Sequence, residues 1–220
     1  MIPGRTGRRG AWSGARFAWL WMLVPLLASG QEAGPHHPPV EVHASAEFTR
    51  WTHSSQLYSL EHPVDWKVHE SPTRTNIGPD DGLQATARGF RTIYGVIVSV
   101  VDDPEAAKSP PSLEASGRAF VETILARNRH LRAHTPIGPD RPFAGGAAVR
   151  AVLTGISPAT GHPERAEVVC RTVGESRLLY MILACPEASC AKLVQPFTRI
   201  RESVRVTDPP PPQLFVRRHF

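Results

Sequence analysis

The sequence predicts an α+β domain, a mainly antiparallel sheet with helices packed on it, and three observations carry that prediction. Strand-length apolar segments, among them 95–101 and 178–184, lie on both sides of a segment with helical spacing at 113–128. Only Gly174-Glu175-Ser176-Arg177 separates the last two strand segments, far too few residues for a parallel crossover. A second helical segment follows at 193–204. Strands, helix, strands, helix, with hairpin-length connections, is the order of an antiparallel sheet covered by helices.

Taken in order, the domain begins near Phe48. Leu57-Tyr58-Ser59-Leu60-Glu61 alternates apolar and polar residues as a half-buried strand does; Pro63 ends it, and Trp66 and Val68 resume the alternation after a short turn. Ile77-Gly78-Pro79-Asp80-Asp81-Gly82 is a dense turn signal, and 83–90 reads as a further strand. Residues 95–101 are apolar on both faces, the mark of a strand covered from two sides. Asp102-Asp103-Pro104 breaks it. Ser112 then caps a helix whose Leu113, Gly117, Phe120, Ile124 and Arg127 fall three or four apart. An extended piece at 130–135 leads to a second expected turn, Ile137-Gly138-Pro139-Asp140. Strands follow at 147–155, 167–173 and 178–184, the last being the most apolar stretch after the leader. Leu193, Phe197, Ile200 and Val204 mark the closing helix, with Pro196 expected to kink it or to start its second half.

The ends differ in character. Residues 1–30 hold Arg5, Arg8, Arg9 and Arg16, an apolar run at 17–28, and the small residues Ala28-Ser29-Gly30. That is the pattern of a signal peptide. The run of 12 residues falls short of the roughly 20 that a spanning helix needs. No other apolar run is long enough, so the mature chain is expected to have no transmembrane segment and to be exported, periplasmic or extracellular. Removing the four leader arginines from the 25 basic residues leaves 21 against 20 acidic ones, so no basic stripe argues for a nucleic-acid partner. Residues 31–47, rich in proline and poor in large apolar groups, read as a flexible linker, and 207–220 as a proline-rich mobile tail.

The three cysteines suit an oxidising compartment, with one left over. Cys185 and Cys190 stand too far apart along one regular helix for a disulfide. They can bond if Cys185 ends a strand and a turn at Pro186 intervenes; the alternative is two small packed thiols.

Tyr58-Ser59-Leu60-Glu61-His62-Pro63-Val64-Asp65-Trp66 fits an aromatic-x-aliphatic-x-x-Pro-x-x-Trp pattern. Gly95-Val96-Ile97-Val98-Ser99, Asn128-Arg129-His130-Leu131-Arg132, Leu179-Tyr180 and Pro196-Phe197 follow in the same order as in PsbP-like domains. Over 48–206 the chain resembles the PsbP-like domain that follows the catalytic domain in some bacterial HExxH zinc metallopeptidases. The resemblance implies an α/β/α sandwich and a binding or assembly role. The catalytic half is missing: no HExxH occurs, and at the nearest approach, His69-Glu70, position 73 is Thr.

The remaining chemistry is sparse. There is no G-x-S-x-G elbow and no glycine-rich phosphate loop. Asp80-Asp81 and Asp102-Asp103 suit turns, His36-His37 is a lone pair of potential ligands, and Cys170 reads as a packed strand residue. No catalytic residue, cofactor or metal is expected. Tyr58 and Trp66 are candidates for a partner or ligand surface, although their strand alternation also fits a core. Phe215 and Phe220 make the tail a candidate docking peptide. The expected function is a non-catalytic exported module binding a protein partner in the cell envelope, either a peptidase or an assembly client. A small-ligand or lipid carrier and a hydrolase with a scattered site are the alternatives.

Overall fold

A computed structural model of the protein describes residues 40–71, 74–86, 89–102, 109, 111–174 and 176–207. The leader at 1–30, residues 31–39 and the tail with Phe215 and Phe220 lie outside the described residues.

In chain order the strands are β1 (Phe48–Thr52), β2 (Tyr58–Pro63), β3 (Lys67–Ser71), β4 (Arg74–Gly78), β5 (Leu83–Thr86), β6 (Gly89–Thr92) and β7 (Gly95–Asp102). Helix α1 (Leu113–Arg127) follows, then β8 (Leu131–Phe143), β9 (Gly146–Ile156), β10 (Pro163–Val173) and β11 (Arg177–Pro186). Helix α2 (Cys190–Ser203) and the short β12 (Arg205–Val206) close the described chain.

Seven strands form one sheet in the order β3-β4-β7-β11-β10-β9-β8, every neighbouring pair antiparallel. The most apolar strand, β11, is the middle one. Leu179, Met181, Leu183 and Cys185 enter the core on one face, and Tyr180 and Ile182 enter the core on the other. Its neighbour β7 divides the same way, Val96 and Val98 against Ile97. Period-two alternation thus builds two cores from one strand set, each buried aliphatic side chain stabilising the fold by about 1.5–3 kcal/mol.

Helix α1 covers the second core with Gly117, Phe120, Val121 and Ile124. Ser112 caps it, accepting from the Ala115 amide at 3.2 Å. Gly117 lets it lie close to the sheet, since a Cβ there would sit 2.7 Å from Val149 Cγ2. Leu193, Phe197 and Ile200 of α2 cover the first core together with Tyr58 and Leu60 of β2, which belongs to a small sheet ordered β1-β2-β12. The protein is an α+β fold, layered helix, sheet, helix.

Several local expectations need correction. The turn expected at Ile137–Asp140 lies inside β8. As the outermost strand β8 pairs only with β9, so Pro136 and Pro139 can leave their outer edge bare, and register shifts absorb the misfit. The chain reverses instead at Ala144 and Gly145, with φ of 48° and 84°. The strand expected at 83–90 is a hairpin, β5 with β6, in a separate two-stranded sheet. The linker assigned to 31–47 is docked at its end, for Val42 is buried in the core and the His43 carbonyl accepts from Trp66 Nε1 at 3.0 Å.

Candidate functional site

Helix α2 presents two stripes. Leu193, Phe197 and Ile200 point into the core, while Cys190, Ala191, Val194, Thr198 and Arg201 recur at helical spacing one step around. This second stripe walls a groove of about 330 Å³. The floor comes from alternate residues of two paired strands, Arg165 and Glu167 on β10 opposite Cys185 and Leu183 on β11. Arg141, near the end of β8, stands at the margin.

A disulfide joins wall to floor. Cys185 ends β11, a turn at Glu187–Ser189 follows, and Cys190 opens α2, bringing their Cα atoms to 5.3 Å and their sulfurs into a bond. Cys170 is free and buried on the other side of the sheet, and burial pushes its thiol far above the ordinary range.

The opposite end of the groove is ionic. Arg201 is 4 % exposed and binds Asp140 at 2.8 Å, Glu167 at 3.5 Å and the Arg141 carbonyl at 3.0 Å. Arg150 shares the same acids, 2.9 Å from Glu167 and 3.9 Å from Asp140. Two arginines and two carboxylates there pair with one another, although Asp140 Oδ2 and Arg201 Nε keep no hydrogen-bond partner among the described residues. Arg141 pairs with Glu202 at 3.0 Å on the surface. Arg165 differs: it is partly exposed, lines the groove beside the disulfide, and has no hydrogen-bond or ion-pair partner among the described residues. Within the same hollow Val194 is 59 % exposed, a large apolar side chain standing in solvent.

Other polar clusters are spoken for. His43 lies between Asp65 (3.3 Å) and Asp81 (3.1 Å), and Tyr94 donates to Asp81 at 2.7 Å, which fastens the segment ahead of β1 to the body. Burial and the Asp81 charge push the Tyr94 hydroxyl well above its ordinary range.

Ser55, His53 and Glu70 form a chain that mimics a catalytic triad: Ser55 Oγ is 2.6 Å from His53 Nδ1, and His53 Nε2 is 3.5 Å from Glu70. The turn's own amides are all committed, however. Those of Ser54, Ser55, Gln56 and Leu57 donate to Glu70, His53 Nδ1, the His53 carbonyl and Ser55 Oγ. None is left to hold an oxyanion, so the arrangement fits a tied hairpin turn better than a nucleophile site.

Tyr58 and Trp66, the sequence's candidates for a surface, are each 2 % exposed. Tyr58 bonds Thr75 at 2.7 Å inside the core, and Trp66 packs edge-on against Phe197. Neither reaches the groove, and Phe215 and Phe220 fall outside the described residues. Of the four groove arginines and acids, Arg141, Arg165, Glu167 and Arg201, sequence reasoning singled out none. Their signal was faint: Val194 and Arg201 lie one position off the apolar stripe of α2, where an exposed valine is out of place.

No sequence family matches the chain, and no curated protein matches it by sequence. Solved structures do. Cyanobacterial PsbP (CyanoP) from Synechocystis sp. PCC 6803 superposes with a TM-score of 0.53 at 12% identity, over 79% of this chain and 100% of that one. The Ran-binding protein Mog1p from Saccharomyces cerevisiae gives 0.50 at 13% identity, over 74% and 96%. LpqN of Mycobacterium tuberculosis, involved in cell envelope biogenesis, gives 0.45 at 12% identity, over 73% and 91%. At such low identity the first two speak for a PsbP-like fold alone.

Proposed function

We infer that the protein is a non-catalytic binding module of the cell envelope that holds a segment of a protein partner in the groove beside α2. The observation that carries this reading is the pairing, in one hollow, of a solvent-exposed Val194 with the unpartnered Arg165. An exposed apolar side chain beside an arginine with no partner among the described residues suits a docking surface, where aliphatic contact and a new ion pair can form together. A structure of like fold, yeast Mog1p, is a Ran-binding protein. The Arg-rich leader and the disulfide support export, and the sequence resemblance to domains that follow HExxH peptidases favours an envelope peptidase or an assembly client as partner. The carrier alternative gains little from the space beneath α1, about 20 Å³, which is room for one water.

Photo-cross-linking in cells tests the reading. Benzoylphenylalanine at Val194 should give a discrete protein adduct, and the same group at Arg118, on the far helix, should not. Absence of an adduct at both positions would retire the module.

A further inference from the structure

We propose that the groove recognises an extended acidic and aliphatic segment, in which an Asp or Glu stands beside a Leu, Ile or Val. The inference rests on the reading above and specifies the partner's chemistry. It follows from how the charges are already spent. Asp140 is bound by Arg201 at 2.8 Å, Glu167 by Arg150 at 2.9 Å and Glu202 by Arg141 at 3.0 Å. Each of these three carboxylates therefore has its guanidinium, and Arg165 is a groove cation with no carboxylate among the described residues.

A basic segment would meet three lining arginines, Arg141, Arg165 and Arg201, against the single lining acid Glu167. An acidic residue would instead supply the carboxylate that Arg165 can grip with two N–H donors. The apolar half of the site lies beside it. Arg165 is directly opposite Cys185 in the strand ladder, and the disulfide, Ala191, Val194 and Leu183 line the same hollow. A volume of about 330 Å³ accepts a few side chains and not a folded domain. A carboxylate adjacent to an aliphatic side chain matches both halves at once.

The probe is a fluorescein-labelled peptide, Gly-Leu-Asp-Leu-Glu-Leu-Gly, measured by anisotropy beside its Asn/Gln and its Lys counterparts, with dodecanoate as a competing apolar anion. The acidic peptide should bind at least tenfold more tightly than the amide version and lose affinity as salt rises. Arg165→Gln should erase that preference and Arg165→Lys should keep most of it, with thermal midpoints unchanged. Val194→Asp should weaken binding more than tenfold, and Arg118→Gln should leave it alone. Equal affinity for the acidic and amide peptides, indifference to Arg165→Gln, or tighter binding of dodecanoate than of peptide would each overturn the proposal. If the peptides fail while Val194 still gives an adduct in cells, the acidic specificity falls and the binding module stands.

Discussion

Two arginines that line one groove have opposite tasks, and substitution should tell them apart. Arg201 is 4 % exposed and shared by Asp140 and Glu167, so Arg201→Ala would leave these two mostly shielded acids with Arg150 alone. We expect a loss of about 3 kcal/mol, the lower end for breaking a buried pair, seen as an earlier urea midpoint. Arg165 forms no ion pair among the described residues, and Arg165→Gln should move stability by no more than about 0.5 kcal/mol.

His62 carries an expectation about acid. It is buried, donates from its ring to the Pro63 carbonyl at 2.8 Å, and burial holds its pKa below the ordinary imidazole value. The unfolded chain takes up that proton near pH 6.5 and the folded one does so only lower down. The stabilisation is thus fully present above about pH 6.5 and is lost as pH falls toward the depressed folded value. Urea midpoints compared at pH 7 and pH 5 should show this loss, and His62→Gln should reduce it. Cys170, walled in and held as a thiol, should resist iodoacetamide until the protein is unfolded, as mass spectrometry would show.

Among the elements, α1 is set by a glycine. Because a Cβ at position 117 would press on Val149, Gly117→Val should cost about 2 kcal/mol by forcing the helix off the sheet. The thermal midpoint would drop by roughly 4–8 °C. Elements with strong, single-period patterns were legible: β7 and β11 from their two-sided apolar runs, α1 from its cap and stripe. Those decided by their place in the sheet were not. Pro136, Gly138 and Pro139 spell a turn locally, and only the edge position of β8, invisible in a linear pattern, lets them extend. The docking of Val42 was hidden for another reason, because the alternation Val40, Val42, Ala44 is short and follows directly on a proline-rich stretch that reads as linker.

For the molecule as a whole, the layered fold could be read from the chain because its two cores repeat one alternation over many residues. The groove could not. Its lining joins α2 to residues of β8, β10 and β11 that are scattered along the chain or paired across a ladder, and none carries a motif. Tyr58 and Trp66 looked eligible because aromatic residues suit both cores and interfaces, and burial decided for the core.

The bond between Cys185 and Cys190 ties the end of β11 to the start of α2 within the lining of the groove. Closing so short a loop contributes about 2 kcal/mol, so opening it should leave the fold standing while loosening the first turn of α2. With dithiothreitol, far-ultraviolet circular dichroism should be little changed and peptide affinity should fall. A reduced copy would then be folded yet hold the acidic peptide less tightly, so the proposed grip would depend on surroundings in which thiols oxidise.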